Sequence, residues 1–274
     1  MHTQPVTQVE TSIWRGRFAS GVRELPEEVA VALTYDRVTY AVMMATPVNL
    51  EDFAIGFSLS EGIIGSRLDI EALEVAELPL GLECRISLAE GRRLALEHRR
   101  RHLAGPMGCG LCGIDSLQEA VRAVPPVSSS LVLSASEIAA ALGRLPALQV
   151  LNQQTKGIHA AAVFHPATQR MVLREDVGRH NALDKVIGAV AGQGFDPAAC
   201  VVYLTSRVSI ELIQKTAILG APILVAVSVP SARAVRDAHQ AGITLIAVAR
   251  DDGFEIFTHP ERVIEACAPY QSGG

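Results

Sequence analysis

Two kinds of hydrophobic pattern follow one another along this chain, and they predict two differently organised halves. In the first, Val29 to Asp36 and Val38 to Ala45 are short β-branched and apolar runs that predict a hairpin. A helix is expected from about Asn49 to Ile63, with Asn49 as N-cap and Asp52 three residues on. Glu71 to Leu78 and Leu82 to Leu88 predict strands, and Arg93 to Leu103 a basic helix leading into a glycine-rich loop. Pro125, Pro126 and Ser128 to Ser130 mark a linker, so the expected domains are residues 1–125 and 126–274.

Beyond the linker, Ser134 and Glu137 form a capping box for a helix through Leu142. Ala160 to Phe164 and Arg170 to Arg174 flank a turn containing Pro166 and predict a second hairpin. Arg179 to Val190 carries Leu183, Val186, Ile187 and Val190 at helical spacing, which assigns that face to the core. Cys200 to Leu204, Ile223 to Val227 and Ile243 to Val248 are unbroken apolar runs separated by helical segments, the mark of strands buried on both faces. The expectation is an α/β protein: a C-terminal layered domain with a mixed, partly parallel sheet, after a smaller N-terminal α+β domain.

Ligands of such sheets bind beyond the carboxyl ends of the strands. Three polar segments are expected there. Glu175-Asp176-Val177-Gly178-Arg179-His180-Asn181 joins a strand to a helix start, whose free N–H groups favour anions. The plainer reading is that Asp176 or Asn181 caps the helix and Glu175 pairs with Arg179. Thr205-Ser206-Arg207-Val208-Ser209 opens the next helix and offers hydroxyls and a cation to a phosphate; Glu211 and Lys215 beyond it are spaced as an ordinary surface pair. Val248-Ala249-Arg250-Asp251-Asp252-Gly253 follows the last core strand, where Arg250 is placed to grip a phosphate.

Composition narrows the class. At 274 residues and 49% hydrophobic the chain can bury a sizeable core, and its net charge of −5 argues against general nucleic-acid binding. The N-terminus lacks the basic stretch and apolar run of a secretory signal, and no run approaches the ~20 apolar residues of a membrane helix, so a cytoplasmic protein away from membranes is expected. Five cysteines, an odd number, point to reduced thiols. Cys84, Cys200 and Cys267 lie in apolar or strand-like surroundings and are expected to be small buried hydrophobes.

The remaining two, Cys109 and Cys112, stand in Gly108-Cys109-Gly110-Leu111-Cys112-Gly113 and carry the most specific chemistry. A reactive cysteine needs its thiolate, solvent and positive charge, and Arg92, Arg93, Arg99, Arg100 and Arg101 lie just upstream. Gly105, Gly108, Gly110 and Gly113 leave that backbone free to move a sulfur between partners. Half of a zinc site is the alternative, but no second Cys pair exists; only Cys84, His98 and His102 are at hand, and zinc is not expected. A thioredoxin-like role would need the pair at a helix start after a strand.

These segments together resemble the formate dehydrogenase accessory sulfurtransferase family, FdhD. The resemblance rests on Gly108 to Gly113, on Glu175 to Lys185, on Ser206-Arg207-x-Ser209, on Thr258-His259-Pro260 and on Phe53-Ala54-Ile55-Gly56-Phe57-x-x-Ser60-Glu61-Gly62, in that family's order. It implies a protein that takes sulfur from a cysteine desulfurase as a persulfide and passes it to the molybdenum cofactor, in its bis(molybdopterin guanine dinucleotide) form, for formate dehydrogenase. By the same resemblance Cys109 carries the persulfide and Cys112 assists relay or resolution. Val248 to Gly253 would help hold the cofactor, whose phosphates suit Arg179, His180, Ser206 and Arg207, and His159 is a further candidate contact. A homodimer is implied, as is a second domain similar to cytidine deaminases, three-layered in fold.

Deaminase chemistry itself is not expected, because His180-Asn181-Ala182 and Ser206-Arg207-Val208-Ser209 lack the glutamate and both thiolates that it requires. Thr155-Lys156-Gly157-Ile158-His159 departs from the family pattern, with Lys156 where a small residue is usual. The rival function is a chaperone that holds the cofactor without covalent sulfur, its Cys-x-x-Cys being structural.

Overall fold

The computed structural model describes residues 4–94, 96 and 124–264. In chain order the first elements are β1 (Val6–Trp14), β2 (Phe18–Pro26), β3 (Val29–Tyr35), β4 (Val38–Ala45), α1 (Leu50–Ser60), β5 (Ile70–Leu78) and β6 (Gly81–Leu88). Then come β7 (Leu133–Ser134), α2 (Ala135–Leu142), α3 (Leu145–Leu148), α4 (Val150–Thr155), β8 (His159–His165), β9 (Arg170–Asp176) and α5 (Arg179–Val190). The last are β10 (Val201–Leu204), α6 (Ile210–Leu219), β11 (Ile223–Ala226), α7 (Ala232–Ala241), β12 (Thr244–Arg250), β13 (Gly253–Ile256) and β14 (Val263–Ile264). Parallel and antiparallel pairing are mixed in both large sheets, so the protein is a mixed α/β structure.

Contacts divide the chain into two compact units that are not consecutive stretches of sequence. The first takes Met1–Ala123 together with Gln149–Ala160 and Arg174–Gly192. Its sheet has the order β4-β3-β6-β5, with β3 parallel to β6 and the other pairs antiparallel. One face buries Val31, Leu33, Tyr35, Cys84 and Ile86 in a core shared with Phe53, Ala54 and Phe57 of α1. α5 lies on α1, and its residues from Asn181 to Val190 are all buried.

Small residues set that helix contact. A Cβ on Gly56 would overlap the Asp184 carbonyl, and one on Gly188 the Asp52 carbonyl, so only glycine lets the two backbones come this close. Polar links hold the register: Ser60 Oγ donates to Asp184 Oδ1 at 2.7 Å, and Arg174 pairs with Asp52 at 2.7 Å.

The second unit takes Val124–Leu148, Ala161–Leu173 and Gln193–Gly274. Its sheet has the order β13-β12-β11-β10-β8-β9, in which β10, β11 and β12 run parallel. Every residue of β10 and β11 is buried, as the unbroken apolar runs require. Ser134 caps α2 reciprocally with Glu137, as predicted.

Two local expectations are corrected, and one element was not foreseen. Asn49 does stand at the N-cap of α1, but in the left-handed region (φ 54°) and with no side-chain cap, and the helix stops at Ser60 because Gly62 turns left-handed (φ 66°). Lys215 is buried within the run Leu212–Ala217 of α6, so it is no surface residue. And β1 with β2 makes a hairpin that the core periodicity did not disclose, because neither of its faces enters a core.

Replacing Gly56 with alanine is expected to destabilise the first unit by roughly 1–3 kcal/mol, the usual range of forced overpacking, since the obstacle is backbone and cannot rotate away. Urea denaturation followed by the far-ultraviolet signal measures this; a midpoint equal to the wild type would contradict the packing described.

Candidate functional site

Within the first unit the chemistry gathers where β9 passes into α5. Asp176 is fully buried and its carboxylate is surrounded by donors. Oδ1 accepts from the Gly178 amide at 2.8 Å and from Asn181 Nδ2 at 3.0 Å; Oδ2 accepts from the Thr46 amide at 3.0 Å and pairs with Lys185 Nζ at 2.6 Å. Lys185, equally buried, also donates to the Thr46 carbonyl at 2.8 Å, and Asn181 Nδ2 donates to the Met44 carbonyl at 2.8 Å. Burial draws the Lys185 pKa down and the Asp176 carboxylate opposes it. The residues predicted to cap α5 therefore tie the end of β4 to the start of that helix.

Glu175 does not take the expected Arg179 partner in this arrangement. Its carboxylate accepts from the amides of Leu151 and Asn152 at 2.9 and 2.8 Å, capping the short helix α4 from outside its own segment. Arg179 is left with Nε buried and without a hydrogen-bond partner among the described residues. Arg179 and His180 are both half-buried at the first turn of α5. His159, also half-buried, has its pKa lowered by burial first and then by the Arg179 charge. Arg179, His180 and His159 thus share one electrostatic neighbourhood, in which a neutral imidazole stands beside an under-satisfied guanidinium. That combination suits an anion.

Lys156 closes α4 in the left-handed conformation (φ 58°), its amide bonded to the Asn152 carbonyl. The left-handed region favours glycine, which is the backbone reason a small residue would suit this turn. The lysine side chain is exposed and does not crowd this turn.

The second unit holds the other two predicted segments. Ser206 and Arg207 follow β10, and the loop after them is zipped to the loop after β11: the Val208 amide donates to the Val229 carbonyl and the Ser231 amide to the Val208 carbonyl. Ser206 is buried and Arg207 exposed. Val248 interrupts β12 with φ 54° at a register shift between Ala247 and Arg250, an unusual conformation for a β-branched residue. Ala249 is buried, Arg250, Asp251 and Asp252 are exposed, and Gly253 opens β13 at φ 141°. Because β10, β11 and β12 are parallel, both segments leave the same edge of the sheet. Thr258, by contrast, is structural: its hydroxyl donates to the Ile243 carbonyl and accepts from the Leu245 amide.

Cys109 and Cys112 lie outside the described residues, as do Arg99, Arg100, Arg101 and Cys267. Of the nearby cations that are described, Arg92 is engaged with Asp69 at 2.9 Å. Cys84 and Cys200 are buried, as expected, and burial pushes both thiols up to about 12. No cluster of three or more metal-ligating side chains occurs among the described residues, and none of their helices is long and apolar enough to cross a membrane. A cavity of roughly 600 Å³ opens in the first unit at the N-terminus of α1, lined by Pro47, Val48, Glu51, Asp52, Glu77 and Leu82 among others. Among the described residues its lining includes none of the predicted site residues, and its acidic character is wrong for a phosphate.

Comparison with known proteins converges on one group. The model of the FdhD/NarQ family matches residues 26–264. The protein named Sulfur carrier protein FdhD in Agrobacterium fabrum is 49% identical over 255 residues, covering 93% of this chain and 94% of the relative. Its namesake in Brucella abortus is 47% identical over 250 residues, covering 91% and 93%. A crystal structure from Desulfotalea psychrophila, provisionally assigned as a formate dehydrogenase accessory protein, has the same fold, with a TM-score of 0.75 over 94% of this chain and 99% of the other at 24% identity.

The buried thiols should stand aside from sulfur chemistry. In a Cys109→Ser/Cys112→Ser variant, maleimide at pH 7.5 is expected to leave the Cys84 and Cys200 peptides unlabelled until the protein is denatured, read by peptide mass mapping. Rapid labelling of either in the native protein would contradict their burial.

Proposed function

The chain belongs to the FdhD/NarQ family, and from that premise we propose that it carries sulfur for a formate dehydrogenase. The observation that carries the proposal is the near-complete, 49% identical match to a protein named a sulfur carrier. On this reading Cys109, as thiolate, attacks the outer sulfur of a persulfide on a cysteine desulfurase. The S–S bond of the donor breaks, the donor leaves as thiolate, and Cys109 becomes the persulfide. Attack of the Cys112 thiolate on the inner sulfur then closes a Cys109–Cys112 disulfide and releases hydrosulfide to the molybdenum cofactor, and a cellular thiol reopens the disulfide.

The acceptor on this proposal is the bis(molybdopterin guanine dinucleotide) form, a substrate carrying several phosphates. Arg179 with its unpaired buried Nε, His180 and His159 support anion binding in the first unit; Ser206, Arg207 and Val248 to Gly253 support it in the second. The second unit would be a cytidine-deaminase-like layered domain stripped of deaminase chemistry, and the first an α+β domain. The working protein would be a cytoplasmic homodimer with the desulfurase and formate dehydrogenase as partners.

Incubation with desulfurase and cysteine should add about 32 Da, one sulfur, to the intact protein. The addition should vanish on treatment with dithiothreitol and be absent in Cys109→Ala, which should keep the wild-type far-ultraviolet spectrum. An unmodified wild-type mass would refute the covalent route and favour a chaperone that holds the cofactor without sulfur.

A further inference from the structure

The hairpin β1–β2 is exposed on both faces. Its register pairs Val6 with Pro26 and Trp14 with Phe18, so each nine-residue strand runs about 30 Å to a tip formed by Trp14-Arg15-Gly16-Arg17-Phe18. The rings of Trp14 and Phe18 meet in a tilted contact with centroids 5.0 Å apart yet remain 62% and 75% exposed, and Val22, four residues along β2 from Phe18, is 63% exposed. Attachment to the first unit is at the base, where Arg23 donates to the Thr155 carbonyl. A two-stranded hairpin has little stability alone, so an arm of this length with bare aromatics implies a surface that covers it.

The cavity at the start of α1 has the matching chemistry. Pro47, Val48 and Leu82 offer apolar walls, while Glu51 and Glu77 make it acidic; Asp52, which also lines it, is paired with Arg174. The arm tip offers two rings with two arginines between them in sequence. Gln4, just before β1, also lines the cavity, so the chain leaves this site at the base of its own arm and carries the tip roughly 25–30 Å away. A chain's own tip is therefore out of reach of its own cavity, and a second copy supplies one. Two such contacts related by a twofold axis close the assembly without leaving either tip bare.

We propose that the Trp14–Phe18 tip of one copy docks in the acidic cavity between α1 and β5 of a second copy. The inference rests on the pairing of two copies named above and specifies the surface that makes it. Trp14 and Phe18 fill the apolar part of the cavity, and Arg15 and Arg17 face Glu51 and Glu77. The acidic lining otherwise repels a second overall anionic chain, so specificity comes from the tip alone.

Sedimentation equilibrium on the full chain tests this, with tryptophan emission alongside, because Trp14 is the only tryptophan. The wild type should be a dimer whose emission moves to the red on dilution. Trp14→Ser/Phe18→Ser, and separately Arg15→Glu/Arg17→Glu, should weaken the dimer on the order of tenfold or more, the loss usual for a central anchor, with an unchanged far-ultraviolet spectrum. Adding Glu51→Lys/Glu77→Lys to the charge-reversed arm should restore much of the affinity. A monomeric wild type, or a dimer indifferent to both arm variants, would overturn the inference. Sulfur loading measured on the same samples separates this from the proposed function: a monomer that loads loses only the docking surface.

Discussion

The ion pair between Asp176 and Lys185 is the constraint on which the arrangement of the first unit depends. Both side chains are fully buried, and a buried charge left without its partner costs about 3–5 kcal/mol. The two are spared that cost because every group around them is matched: the carboxylate receives two amides, one side-chain amide and the ammonium, and the ammonium also meets the Thr46 carbonyl. Three separate pieces of chain are fixed by one carboxylate, namely the end of β4, the turn before α5 and the second turn of that helix. The price of this order is low tolerance, since none of these donors can be lost without stranding another.

Fixing the turn also fixes what it displays. With Asp176 and Asn181 turned to the interior network and Glu175 spent on the amides of α4, Arg179 and His180 are the residues of this polar segment left half-buried at the helix start. The guanidinium keeps a buried Nε with no partner among the described residues, and His159 is held toward its neutral form beside it. Structural and functional roles are thus divided within seven consecutive residues. The buried cysteines are divided from the chemistry in the same way, because burial keeps Cys84 and Cys200 protonated at neutral pH.

Much of this was legible in the sequence where one local signal decides the outcome. The runs that became β10, β11 and β12 are too apolar to be anything but doubly covered strands, and the capping box of α2 is complete within four residues. Where the outcome depends on a distant group, the sequence was silent. Glu175 has a cation four residues on, yet it serves amides more than twenty residues earlier; Lys215 has a surface-pair spacing, yet it is buried. The interleaving of the two units, with Gln149–Ala160 and Arg174–Gly192 joining the first, has no compositional mark at all. The arm β1–β2 escaped because a hairpin without a core face carries no periodicity to detect.

Hydrogen exchange at single-residue resolution, comparing the full-length wild type with Lys185→Met, tests the central constraint most directly. The account predicts that the amides of Thr46, Val177 and Gly178 lose most of their protection while those at the far end of α5, near Val190, keep theirs. Equal protection at all of these amides in the two proteins would contradict it, because the turn would then be held by something other than the buried pair.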